Sequence, residues 1–148
     1  MVTDPTNLIP LFALAGSNML TIHLESKGDT TANLKYIKKS GMNAGLAIKP
    51  ATDWKEVIPY LPLCDMVLVM TVEPGYGGQG FIPQCADKVA MLRKYCNENG
   101  FDKMNIQVDG GINTATAATV KDAGANVLVA GTYLFRAKDM KAAADAIR

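Results

Sequence analysis

Five short runs rich in Val, Ile, Leu and Met recur along the chain: MLTIHLE (19–25), NAGLAIKP (43–50), DMVLVMTV (65–72), MNIQVDGG (104–111) and ANVLVAGT (125–132). Each is apolar on both faces or nearly so, the pattern of a parallel strand covered on both sides. Between them lie longer amphipathic stretches. Asp4-Pro5 predicts the start of a first helix, with Asp as N-cap and Pro at the first helical position, running through LIPLFALAG to Gly16. TTANLKYIKKSG closes on Lys38, Lys39 and Gly41, which suits a helix C-terminus. DWKEVIPYL is shorter and broken by Pro59, while PQCADKVAMLRKYCNENG carries Val89, Leu92 and Cys96 as its apolar positions. TATAATVKDAG and KDMKAAADAIR complete the series.

A helix followed by five strand–helix units predicts an α/β fold with a parallel sheet and right-handed crossovers. Two architectures fit the alternation. A five-stranded doubly wound sheet would be complete in 148 residues, whereas a (β/α)8 TIM-type barrel needs about 250 and three more units. Three successive runs end in glycine-bearing motifs, VEPGYGG, VDGG and VAGT. A barrel gathers all its strand C-termini around one mouth, but an open sheet shares a ligand only between strands at its switch point. The barrel is therefore favoured, truncated to about five βα units.

Composition narrows the function classes. The length fits one domain with a real core, 1–148, and no Pro/Ser linker divides it. Fifteen basic and fourteen acidic residues leave a net charge of +1, which argues against a general nucleic-acid or membrane surface. No apolar run approaches the ~20 residues that cross a bilayer, and MVTDPTN has no signal-peptide character. Cys64, Cys85 and Cys96 are odd in number and lack CxxC spacing beside a single histidine. They read as reduced thiols of a cytoplasmic protein. The helical segments show no exposed apolar stripe.

The candidate chemistry sits at the strand ends. In MTVEPGYGGQGF (70–81), Gly75, Gly77 and Gly78 surround Tyr76, so consecutive N–H groups can converge as an anion-binding nest. The stretch matches neither GxxxxGK[ST] nor GxGxxG. Alone, such a loop reads as a plain turn; its companions change that. VDGG places one carboxylate, Asp109, at a strand end with Gly110 and Gly111 behind it. The carboxylate suits an acid, a base or a metal ligand, and the diglycine lets a ligand oxygen approach the main chain. Gly131-Thr132 precedes a possible helix start. Together the three read as a phosphate cup with a carboxylate on its wall.

MTVEPGYGGQGF, IQVDGGI and VLVAGTYLF, preceded by TIHLE and GLAIKP, closely resemble the ribulose-phosphate 3-epimerase family, in order and over the whole chain. The resemblance implies a (β/α)8 barrel that interconverts D-ribulose 5-phosphate and D-xylulose 5-phosphate in the pentose phosphate pathway. It implies a divalent metal, usually Zn2+ with Fe2+, Mn2+ or Co2+ as alternatives, that stabilises an enediolate between two aspartates. By resemblance, Asp109 is a metal ligand and one proton-exchanging group. Gly75, Tyr76, Gly77, Gly78, Gly110 and Gly111 contact substrate, Gly131 and Thr132 hold its phosphate, and Met70 caps the reacting centre. The partner is a small pentose phosphate, and family members often form homo-oligomers.

The resemblance starts just past the family's third strand, so the chain is expected to carry strands four to eight. Three of four family metal ligands and the second aspartate then have no counterpart. His23 lies two residues before Glu25; a histidine held by hydrogen bonds is the expected reading, with metal ligation as the alternative. Glu25, Lys49 and Glu73 are expected at the mouth, Trp54 and Tyr60 in packing, and Met42, Met66, Met91 and Met104 in the core. Missing strands would leave two open edges and uncover barrel-filling side chains, so little activity is expected from this chain alone. Two other readings stand: a non-catalytic sugar-phosphate-binding remnant, and a different phosphate-handling barrel enzyme such as a decarboxylase or isomerase.

Overall fold

In a computed structural model describing all 148 residues, five strands form a single parallel sheet in the order of the chain. They are β1 (Met19–His23), β2 (Asn43–Ile48), β3 (Met66–Met70), β4 (Asn105–Asp109) and β5 (Val127–Val129). A doubly wound sheet reverses its strand order at a switch point; here no reversal occurs, and the sequential order is that of a barrel wall. β1 and β5 do not pair with each other, so the wall is not closed. Every strand stops short of its apolar run. At β4 the cause is local, because Gly110 follows Asp109 with φ +125° and leaves the ladder.

The connecting helices are α1 (Ile9–Leu14), α2 (Thr30–Lys39), α3 (Gln84–Glu98), α4 (Thr114–Asp122), α5 (Gly131–Phe135) and α6 (Met140–Ile147). Between β2 and β3 runs a 3-10 helix, Trp54–Leu63, containing Pro59 and Pro62. Neither proline has an N–H to donate, which favours a short, tight helix there. Asp53 accepts from the Lys55 N–H at 2.9 Å and Glu56 from the Asp53 N–H at 3.2 Å, together fixing its start.

The first helix differs from expectation. Asp4 does not cap it; its carboxylate accepts from the Thr6 N–H at 3.0 Å in a separate turn, and α1 begins four residues after Pro5. The proline of its first turn is therefore Pro10, where a missing N–H costs nothing. α1 also exposes Leu11, Phe12 and Leu14, an apolar edge not foreseen from the segment pattern.

Strand register sorts side chains into two faces. Ile22, Leu46, Val67 and Ile106 stand side by side on one face, with Ile48, Val69 and Val108 a step further along. All belong to a core of 26 buried residues that includes Leu34 and Ile37 of α2 and Val89 and Leu92 of α3. This is the helix-covered face. On the other face Ala47, Leu68, Met70 and Val72 form a separate buried cluster of four. The barrel-filling side chains are thus buried at the centre and half-uncovered to either side, at Thr21 and His23 of β1, at Asn105, Gln107 and Asp109 of β4, and at Val127 and Val129 of β5; β3 is buried throughout.

Trp54 and Tyr60 pack against the main core, and the Trp54 ring lies 5.9 Å from that of Tyr95. Met42, Met66 and Met104 are buried, but Met91 is 54% exposed. It lies off the Val89–Leu92–Cys96 stripe by which α3 meets the sheet. The three cysteines are free and buried, and burial pushes the Cys64 thiol up to about 12. No helix is long and apolar enough to cross a membrane.

Candidate functional site

Register brings Met70, Asp109 and Val129 side by side at the C-terminal ends of β3, β4 and β5, on neighbouring strands about 4.8 Å apart. Above them opens a hollow of about 940 Å³. All ten candidate residues line it: Met70 as buried floor, Asp109 on the wall, Gly75, Tyr76, Gly77 and Gly78 on one rim, and Gly110, Gly111, Gly131 and Thr132 on the others. Glu73 also lines it; Glu25 and Lys49 do not.

Each rim has a local cause. The loop after β3 is folded by Gln79, whose side-chain amide donates to the carbonyls of Glu73 at 2.7 Å and Tyr76 at 2.9 Å. Tyr76 itself stands out into solvent, 74% exposed. A side-chain carbon placed on Gly77 would lie 3.5 Å from the Thr132 hydroxyl, so this loop and the start of α5 face each other closely.

The diglycine is demanded by the protein itself. A side-chain carbon on Gly110 would come within 2.4 Å of Val72, and one on Gly111, at φ +65°, within 2.5 Å of the Phe81 nitrogen. Hydroxyls anchor the carbonyls of both: Thr71 donates to Gly110 at 2.6 Å and Thr116 to Gly111 at 2.9 Å. Asn113 then caps α4, accepting from the N–H groups of Ala115 at 2.9 Å and Thr116 at 3.2 Å.

Asp109 is the chemically available group. No protein donor hydrogen-bonds its carboxylate among the contacts of all 148 residues, and burial raises its pKa above the ordinary aspartate value. A carboxylate held that way exchanges protons more readily near neutral pH than a paired one.

His23 and Glu25 do something else. The His23 Nδ1 lies 3.2 Å from the Glu25 carboxylate, outside the hollow. Glu25 also accepts from the Lys49 N–H at 2.8 Å and from the Thr52 hydroxyl. Burial works to raise the Glu25 pKa, but these hydrogen bonds outweigh it and the net shift is downward. Lys88 closes the same loop, donating to the carbonyls of Lys49 at 3.0 Å, Pro50 at 2.9 Å and Thr52. The pair is a loop anchor beyond β1 and β2. No group of three or more His, Cys, Asp or Glu residues converges anywhere in the chain. Asp109 is one ligand where a divalent site takes three or four protein groups, so these residues alone do not fit a metal.

Sequence reasoning missed Gln79, whose role depends on a loop folding back on itself, and Arg136, which lines the hollow from the end of α5. A glutamine directly after the Gly-Gly pair of the loop is the signal that could have found the first.

The model of the ribulose-phosphate 3 epimerase family matches residues 1–135. The chain belongs to that family. Ribulose-phosphate 3-epimerase from Candida glabrata is 45% identical over 139 residues, covering 94% of this chain and 54% of the relative. The proteins of that name from Bacillus subtilis and Escherichia coli K12 are 38% and 37% identical over all 148 residues, which span 68% and 65% of their lengths. This chain thus spans little more than half to two thirds of the epimerases it matches. The crystal structure of 3-hexulose-6-phosphate synthase superposes with a TM-score of 0.70 at 19% identity, covering 99% of this chain and 68% of that one. At that identity the likeness shows the fold, a TIM-barrel type.

Proposed function

We propose that this chain carries the sugar-phosphate cup and one of the two proton-exchanging carboxylates of a ribulose-phosphate 3-epimerase, its five strands corresponding to the last five of an eight-stranded barrel. The observation that carries the reading is the convergence of three glycine-bearing strand ends and the unpartnered Asp109 on one hollow. Family membership and the shared name of the relatives support the substrate class.

The main chain around Gly77, Gly78, Gly111 and Gly131 binds the phosphoryl end of ribulose 5-phosphate and fixes the sugar's position. Buried Met70 excludes water from the reacting end. The carbon-3 proton lies α to the carbon-2 carbonyl, and Asp109, lifted towards neutrality by burial, accepts or returns it on one face. Inversion needs a second acid/base on the opposite face and stabilisation of the enediolate oxygen. Asp109 supplies neither, and a metal would find a single carboxylate here. The 148-residue chain alone therefore binds pentose phosphate without turning it over.

The test is calorimetric titration of the purified chain with ribulose 5-phosphate, beside a turnover assay with added Zn2+. Binding without epimerisation is expected. Robust turnover would refute the claim of inactivity, and absence of binding would remove the cup.

A further inference from the structure

We infer that Arg136 is a phosphate-clamping residue that confers preference for a phosphate monoester dianion in this hollow; the inference rests on the cup reading above and deepens it. Of the charged side chains that line the hollow, Glu73 and Asp109 are acidic and Arg136 alone is cationic. Two carboxylates repel a dianion, and the main-chain amides opposing them carry only partial charges. A full positive charge in the same space changes that balance.

Helix geometry directs Arg136 to the right place. The Arg136 N–H donates to the Thr132 carbonyl at 3.2 Å, putting the two residues one α-turn apart on the same side of α5. Long side chains on a helix lean back towards its N-terminus, so the guanidinium leans towards Gly131 and Thr132. It is also free. Arg136 is exposed, donates no side-chain hydrogen bond and has no carboxylate partner within salt-bridge distance. An arginine fork matches phosphate oxygens bidentately, and a charge-assisted pair of this kind outweighs its loss of side-chain freedom where a lone lysine contact often does not.

The experiment titrates the purified chain with inorganic phosphate and with ribulose 5-phosphate, followed by phosphorus NMR and calorimetry at low salt. Arg136→Met is compared with Arg136→Lys and with Lys138→Met, which removes an equal charge two residues away, exposed and outside the hollow. Arg136→Met should weaken both ligands about tenfold, Arg136→Lys should recover part of the loss, and Lys138→Met should stay within about twofold. The Arg136→Met deficit should shrink as salt is raised, which a purely structural role would not produce. Equal affinity of Arg136→Met and the parent, or an equal loss in Lys138→Met, overturns the clamp and leaves the cup standing. A parent chain without measurable affinity for either ligand overturns the clamp and the cup together.

Discussion

On the helix-covered face, Ile22, Leu46, Val67 and Ile106 form a buried row across four strands; on the opposite face the next row, His23, Ala47, Leu68 and Gln107, is buried only at its centre. The first row belongs to a cluster of 26 residues and the second contributes to a cluster of four. Hydrophobic stabilisation scales with the area removed from water, so the wall is held from its helix side. The other face carries only a small apolar cluster flanked by half-buried polar groups, and there the chemistry can sit without weakening the core.

Paired substitutions break or sharpen that contrast. Leu46→Ala, on the helix-covered face at 0% exposure, should cost about 3 kcal/mol by urea denaturation. Leu68→Ala, in the small cluster, should cost roughly half as much; equal losses would show that the two faces share the load. Next in size is Gly111→Ala. Its positive φ and the 2.5 Å approach to the Phe81 nitrogen make a loss of about 2 kcal/mol the expected outcome, with weaker pentose-phosphate binding in the same titrations.

The smallest effect has the opposite sign. Burial holds the folded Asp109 carboxyl above its unfolded value, so the folded chain binds a proton more readily than the unfolded one between the two values. The penalty is absent where both states are protonated and grows to full size as pH rises through the folded value. Asp109→Asn should therefore raise Tm at neutral pH by roughly 2 °C and leave it unchanged near about pH 3, below the ordinary aspartate range. A lower Tm for Asp109→Asn at neutral pH would mean the carboxylate is stabilised by the fold.

Much of this was readable in the chain. The five strands announced themselves as apolar runs because a covered parallel strand has no polar face. Met91, expected in the core, is exposed instead, because α3 meets the sheet along Val89, Leu92 and Cys96 and leaves position 91 off that stripe. The start of α1 falls later than Asp4-Pro5 suggests, because the Asp4 carboxylate accepts from the Thr6 N–H in a preceding turn and the helix then opens without a capping side chain, with Pro10 in its first turn. At the site, glycines and a terminal carboxylate are local signals. Gln79 and Arg136 depend on more: Gln79 donates to carbonyls six and three positions back, and Arg136 comes to line the hollow only through the turn of α5.

The Gln79 amide has one more consequence. By holding two carbonyls of its own loop, it gives the glycine segment its shape before any ligand arrives, so association need not bear the entropic penalty of ordering that segment. Flexible residues are thereby made into a preorganised receptor by one internal tether, and chemical deamidation at this single position would replace its donor with an acceptor and let the loop spring open.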